Sequence, residues 1–137
     1  MSGVRVAMAL LAVSAAAVGL PATLAPRAFY DDFPFVASWV DRLPPYNQHL
    51  VTDVGGFYLA FALLFAWAAV RPARALVVPL SVAWSLAAAV HLLFHVTHLN
   101  GYPAADAVAQ TAGLAFVLVL PLAVVALVRR DQHSSPV

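Results

Sequence analysis

The chain has 137 residues and contains no cysteine, no lysine and no glutamate. Without cysteine it forms no disulfide, thiolate metal site or CxxC redox pair, and without lysine it supports no Schiff-base chemistry. Only 9% of its residues are charged, whereas soluble domains carry about 25%. No basic cluster is present, so nucleic acid is not an expected partner. The scarcity of charge excludes a water-soluble fold.

Apolar residues, in contrast, make up 64% of the chain. Because a spanning helix needs roughly 20 apolar residues, four spans with short connections account for nearly the whole length. They are predicted at residues 6–24, 51–70, 75–97 and 106–128, with a disordered tail at 131–137. The expected fold is a single all-α domain, a four-helix transmembrane bundle.

The first apolar run has two interpretations. As a secretory signal it would be cut at a small-residue site, but the best one, Thr23-Leu24-Ala25, is followed directly by Pro26, which disfavours processing. The run is also long enough to span. An uncleaved first helix is therefore favoured, with cleavage as the alternative.

A short interfacial amphipathic helix is predicted in the connection between the first and second spans. Asp32 can cap this helix with Pro34 in its first turn, and Pro44-Pro45 ends it. One face then collects four apolar side chains, Val36, Trp39, Val40 and Leu43. Such a segment is typical of a helix that lies flat at a membrane surface.

The arginines predict the orientation of the spans. Since successive spans alternate sides, five arginines share one side and two share the other. The five are Arg5, Arg71, Arg74, Arg129 and Arg130, and the two are Arg27 and Arg42. The positive-inside rule places the five in the cytoplasm together with both termini. The predicted location is the cell membrane, with the lipid bilayer as one partner and a second copy or another protein as a further partner.

Polar side chains recur at helical spacing near the outer ends of three spans. The candidate site residues are His49 and Asp53 on the second span, His91, His95 and His98 on the third, and Asp106 and Gln110 on the fourth. Each set follows the helical repeat, and polar groups within spans tend to face the bundle interior. These stripes are predicted to line one outward-facing pocket. Gly56 and Ala60 continue the second stripe and are predicted to admit a neighbouring helix.

Each of these residues also has a purely structural interpretation. His49 and His98 suit the membrane interface without any function, and His91 serves as packing glue if a neighbouring carbonyl satisfies it. Asp53 and Asp106 then only offset the dipoles of helix N-termini. Four aromatic residues are predicted to be interfacial anchors: Trp39, Tyr46, Tyr58 and Tyr102.

The pocket residues allow several chemistries. Imidazoles and carboxylates are ligands for a transition metal such as zinc, copper or iron, with Asp53 or Asp106 as an oxygen ligand. Haem fits less well, because His91 and His95 lie on one side of one helix and cannot hold opposite faces of a porphyrin. A quinone headgroup or a proton relay is a further option, since histidine titrates near neutrality. Ion conduction is disfavoured because the inner halves of the helices are apolar.

Two segments carry a family resemblance. Residues 45–56 (PYNQHLVTDVGG) and 91–99 (HLLFHVTHL) resemble small four-helix bacterial membrane proteins of unknown function, of an actinobacterial type. The general architecture is also similar to the DoxX-like group, which implies a link to quinol oxidation or another redox partnership. No DoxX-specific motif falls on this chain, so the resemblance assigns no site residue.

Three functions stay open at this point. The favoured one is a small binding or accessory membrane protein whose pocket holds a metal ion or a small polar or quinone-like ligand. The second is a membrane redox enzyme that uses the same pocket, and the third is a structural subunit of a larger membrane complex. Bound metal with a chromophore would favour the enzyme, whereas a metal-free protein that purifies with a partner would favour the subunit.

Overall fold

Five helices dominate the computed structural model. It describes residues 2–35, 37–43 and 45–133, and for residues 131–133 it describes only the backbone. The helices are α1 (Ser2–Leu24), α2 (Pro26–Asp32), α3 (Gln48–Val70), α4 (Arg74–Thr97) and α5 (Ala104–His133). No strand occurs in the described ranges. The helices α1, α3, α4 and α5 are each long and apolar enough to cross a membrane. The predicted all-α fold with four long apolar helices is confirmed.

The ends of α3 show how the first two long helices are joined. At its start, the side chain of Asn47 accepts a hydrogen bond from the Leu50 N–H at 3.1 Å, as an N-cap residue does. At its end, Arg5 Nη1 of α1 donates to the carbonyls of Ala69 (3.1 Å) and Val70 (2.7 Å). A cation is favourable there because the helix dipole is negative at the C-terminus. The start of α1 therefore lies beside the end of α3, and the two helices run antiparallel.

The short helix between the first two spans exists, but it lies earlier in the chain than predicted. It is α2, with Pro26 in its first turn, so Asp32 ends this helix and does not cap a later one. Residues 33–35 and 37–43 form turns and bends. Phe35 and Ser38 have φ values of 46° and 54°, in the left-handed region that interrupts a right-handed helix. Val36, predicted on the apolar face, lies outside the described residues.

The last helix is longer than the predicted fourth span. That span ends at residue 128 and the predicted disordered tail starts at 131, but α5 continues to His133. Arginine is a good helix former, and no glycine or proline occurs between Arg129 and Pro136, so nothing in the sequence stops the helix earlier. Residues 134–137, the remainder of the predicted tail, lie outside the described part of the chain.

The four long helices form two pairs. α1 packs along α3, and α4 packs along α5, whereas α1 with α5 and α3 with α4 meet much less extensively. Glycines bring the first pair close together: a Cβ atom built on Gly19 would lie 2.9 Å from the Leu59 nitrogen, and one on Gly55 would lie 2.5 Å from Thr23 Oγ1. Small residues permit this approach. The prediction that Gly56 admits a neighbouring helix is wrong, because nothing lies within 4 Å of its Cβ position.

The two ends of the bundle differ. We call the end that carries the N-terminus of α1, the α3–α4 turn and the end of α5 the basic end; it holds Arg5, Arg71, Arg74, Arg129 and Arg130. We call the opposite end, with residues 33–47 and 98–103, the loop end. The buried core fills the half towards the basic end and joins all four long helices, as Met8, Phe65, Val77 and Val124 illustrate. Close packing between the two helix pairs therefore ends about halfway along the bundle, whereas α1 and α3 stay close together beyond that point at Gly19 and Gly55.

Candidate functional site

Towards the loop end, the two helix pairs separate around a cavity of about 560 Å³. All four long helices contribute to its wall, and α2 with residues 33–43 contributes its roof. Its size lies within the range of ligand pockets, about 300–1,000 Å³. The lining is mostly aliphatic and aromatic, and no Asp or Arg of the described chain belongs to it. An uncharged site of this kind favours uncharged, apolar ligands.

Trp84 of α4 separates this cavity from the packed core. Its indole Nε1 donates to the Val117 carbonyl of α5 at 3.1 Å. Edge-to-face contacts join its ring to Tyr58, Phe61 and Phe65 of α3, with centroid distances of 5.4, 5.1 and 5.2 Å. Such aromatic pairs add about 0.5–1.5 kcal/mol each beyond their burial. This aromatic cluster forms a rigid floor that links α3 to the α4–α5 pair.

A few polar atoms in the lining have no hydrogen-bond partner among the described residues. They are Trp39 Nε1 in the roof, His95 Nδ1 on α4, and both amide atoms of Gln110 on α5. Gln110 is only 3% exposed. Its amide lies beside His95 and Tyr102, yet neither of its polar atoms has a hydrogen-bond partner among the described residues. Leaving a buried polar group unpaired costs roughly 1–3 kcal/mol, so a partner is expected from outside the protein.

Three of the seven predicted site residues share this cavity: His91, His95 and Gln110. The rings of His91 and His95 meet edge to face, with a centroid distance of 4.6 Å. His91 is exposed, and it also borders a shallow groove on the outer side of α4 with Ala87 and Phe94. The structure thus places these three side chains of α4 and α5 in the lining of one cavity.

The other four predicted residues do not line the cavity. His49 Nε2 lies 3.3 Å from Asp53 Oδ2, and their side chains are 80% and 50% exposed at the loop end. His98 is the C-cap of α4; its ring stacks on Phe94 at a centroid distance of 4.1 Å, and its Nδ1 lies 2.7 Å from the Phe94 carbonyl. Asp106 occupies the first turn of α5, half-buried. Each of these residues has a local structural role or an exposed position.

The predicted transition-metal site is not assembled in the part of the chain that the structure describes. There, no group of three or more histidine and aspartate side chains lies close enough to hold a metal ion. His91 and His95 offer two ring nitrogens from a single helix face, and the next candidates, His49 with Asp53 and His98, are directed elsewhere. The described residues thus bring two histidines together without a third metal-ligating side chain beside them.

Two residues that the sequence places at the membrane interface are part of the cavity. Trp39 lies in the roof, and Tyr58 lies in the wall beside Trp84. The sequence contains a signal for this placement, because residues 29–39 include three phenylalanines and a tryptophan. That is too many aromatic residues for a solvated loop. Aromatic side chains at this density indicate a segment that covers an apolar space.

Contacts at the loop end hold the roof in place. The Tyr102 hydroxyl donates to the Trp39 carbonyl, and Arg42 Nη1 donates to the Gly101 carbonyl at 2.9 Å. The Arg42 guanidinium also lies over the Tyr102 ring, 5.6 Å from its centroid. Burial raises the pKa of the Tyr102 hydroxyl, although the neighbouring Gln110 amide and the Arg42 guanidinium both lower it, so it stays a donor at neutral pH. We call Trp39, Arg42, Gly101 and Tyr102 the roof latch.

We expect Tyr102→Phe to loosen the roof, because it removes the hydroxyl that donates to Trp39. One hydrogen bond contributes about 1 kcal/mol net, which corresponds to roughly fivefold faster amide exchange when the roof opens locally. Hydrogen exchange of residues 37–43, followed by mass spectrometry, measures this. Tyr46→Phe is the matched control, since the Tyr46 ring contacts the Tyr30 ring at a centroid distance of 5.2 Å and the substitution keeps that ring. Equal exchange in the two variants would contradict the latch.

No protein-family model, curated protein or solved structure matches this chain. Its class therefore follows from its own fold and site. The described chain is an all-helical bundle with four potential membrane spans, arranged as two pairs around an uncharged cavity with a few unpaired polar atoms.

Proposed function

We propose that this is a multi-pass membrane protein that binds a small, largely apolar molecule in the cavity between its two helix pairs. The outer surface supports the membrane location. Large apolar side chains are exposed on every long helix, among them Val13, Leu63, Leu86 and Val108. Soluble monomers rarely expose apolar area so continuously, whereas lipid contact requires it.

One observation carries the binding function: Gln110, an almost fully buried amide with neither polar atom paired, faces an uncharged cavity of ligand size. Packing alone does not call for such a residue, because leucine would fill the same volume without a desolvation cost. Ligand sites, in contrast, combine an apolar lining with a few placed polar groups. The cavity has this composition.

The distribution of arginine sets the proposed orientation. Five of the seven arginines belong to the basic end, and the positive-inside rule places that end in the cytoplasm. Both termini are then cytoplasmic, and the cavity lies in the outer half of the bundle. Its ligand would enter from the outer leaflet or from the extracytoplasmic side.

Filling the cavity tests the proposal. Gly113 of α5 lines the cavity, and nothing lies within 4 Å of its Cβ position. Gly113→Leu therefore adds a side chain at the cavity wall without an initial clash. We expect this variant to bind naphthalene, a small apolar probe, at least about tenfold more weakly than the wild type. Equilibrium dialysis of protein in nanodiscs measures it, with protein-free nanodiscs as the blank for partitioning.

The control is Gly56→Leu, the same substitution at a second helical glycine with nothing within 4 Å of its Cβ position, outside the cavity lining. Its naphthalene affinity should equal that of the wild type. Circular dichroism checks that both variants are folded. Identical binding by the wild type and both variants, or no binding by the wild type, would count against a ligand-binding cavity.

A further inference from the structure

The unpaired polar atoms of the cavity are mostly hydrogen-bond donors. The indole N–H of Trp39 can only donate, and the amide nitrogen of Gln110 carries two N–H groups. The one obligatory acceptor is Gln110 Oε1, because His95 Nδ1 accepts or donates according to its tautomer. Three donor hydrogens thus stand against one fixed acceptor. A ligand that satisfies them must itself be rich in acceptors.

The lining also restricts the charge and the shape of the ligand. No Asp or Arg of the described chain lines the cavity, so a cationic ligand would find no counter-charge and an anionic ligand would meet only the imidazoles of His91 and His95. Aromatic rings occur in the roof, the wall and the floor, as Phe33, Tyr58 and Trp84 show. Offset and edge-on packing against such rings favours a flat ring in the ligand. The fitting molecule is neutral, flat and soluble in lipid.

The donors lie on different parts of the cavity. Trp39 belongs to the roof, after α2, whereas Gln110 belongs to α5, two turns from the start of that helix. Two acceptors on separate edges of one ligand give each donor an acceptor of its own. A ring with carbonyl oxygens on opposite edges has this arrangement.

Building on the proposed function, we propose that the ligand is a neutral, lipid-soluble dicarbonyl compound with a flat ring, of the quinone type. One carbonyl oxygen accepts the Trp39 Nε1–H, and the other accepts from Gln110 Nε2. His95 Nδ1 lies in the same lining and supplies a further donor in one tautomer. The proposal concerns recognition of the oxidised ring, in which both oxygens are acceptors only.

A matched pair of probes tests this. Naphthalene and 1,4-naphthoquinone share one fused ring system, and only the second carries carbonyl oxygens. The chain has no cysteine or lysine for the quinone to modify, so its binding can be measured at equilibrium by the same nanodisc dialysis. Two added hydrogen bonds predict that naphthoquinone binds about tenfold to thirtyfold more tightly than naphthalene.

Four variants assign the donors. Gln110→Leu and Trp39→Phe keep most of the side-chain volume, and each should weaken naphthoquinone binding about fivefold while changing naphthalene binding less than about twofold. Gln48→Leu and Trp67→Phe are the controls, because Gln48 is exposed at the start of α3 and Trp67 is 56% exposed. Both controls should bind both probes as the wild type does.

The outcomes separate the two proposals. Equal affinity for the two probes, with both lost in Gly113→Leu, would overturn the dicarbonyl ligand and leave the binding cavity standing. A preference for naphthoquinone that survives Gln110→Leu and Trp39→Phe would overturn the assignment of these donors. If neither probe binds to the wild type, the binding function fails as well.

Discussion

Gly55→Ala is expected to lower the free energy of unfolding by about 2 kcal/mol, within the range of overpacking substitutions. The added Cβ would lie 2.5 Å from Thr23 Oγ1, 2.8 Å from the Thr23 nitrogen and 2.9 Å from the Ala22 carbonyl carbon. Two of these three atoms belong to the backbone of α1, which a rotamer change cannot move. The helices α1 and α3 must therefore separate. Titration with SDS in mixed micelles, followed by circular dichroism, measures the loss.

The neighbouring glycine provides the control. Gly56→Ala makes the same change one residue later in α3, where nothing lies within 4 Å of the added atom. Alanine is a better helix former than glycine, by up to about 1 kcal/mol. This variant should be as stable as the wild type or slightly more stable. Equal stability of the two alanine variants would show that α1 and α3 do not approach as closely as the structure indicates.

Trp84→Ala is expected to have the largest effect on stability, about 3–5 kcal/mol, as for other buried tryptophans. Trp84 is 5% exposed and contacts three aromatic rings of α3. It also donates to the Val117 carbonyl of α5. Its loss therefore weakens the contact between the two helix pairs, which meet much less extensively than the helices within each pair. The same SDS titration measures the effect, and naphthalene binding should decrease with it because the cavity loses its floor.

Two other substitutions separate the effect of the Trp84 hydrogen bond and of its buried position from the loss of a tryptophan as such. Trp84→Phe retains a ring but loses the indole N–H, so we expect a smaller loss, about 1–2 kcal/mol. Trp67→Ala removes a tryptophan that is 56% exposed, and its cost should stay within about 0.5 kcal/mol, as is usual at surfaces. A Trp67→Ala variant as unstable as Trp84→Ala would mean that tryptophan content, and not position, governs stability.

Hydrophobic length alone predicts the four long helices, because long apolar runs with so few charged residues permit little else. It does not identify which face of a helix packs inward. The two adjacent glycines of α3 show the limit: a Cβ atom on Gly55 would meet α1, whereas one on Gly56 would meet nothing within 4 Å, although a step of one residue is a rotation of only about 100°. The hydrophobic pattern of α3 is nearly uniform, so the sequence contains no signal that separates the two.

The candidate site is predictable where helices remain regular and less so where they end. His91, His95 and Gln110 lie inside α4 and α5, and their helical spacing brings them to one cavity. His98 follows the same spacing, but it is the cap residue with φ −127° and ψ 42°, so its side chain leaves the stripe. Helical periodicity does not predict the position of Trp39, because that position depends on turns and on the contact with Tyr102.

The pairing of the helices has a consequence for biosynthesis. The helices α4 and α5 are neighbours in the chain, so they can associate as soon as both have been made. The partner of α1 is α3, whose last residue is Val70. In a chain made from its N-terminus, α1 therefore has no α3 to pack against while 46 further residues (24 to 70) are added. The surface at Gly19, which packs against Leu59 in the folded protein, is uncovered during that time. During that interval α1 is the segment most open to capture by a chaperone or by another nascent helix.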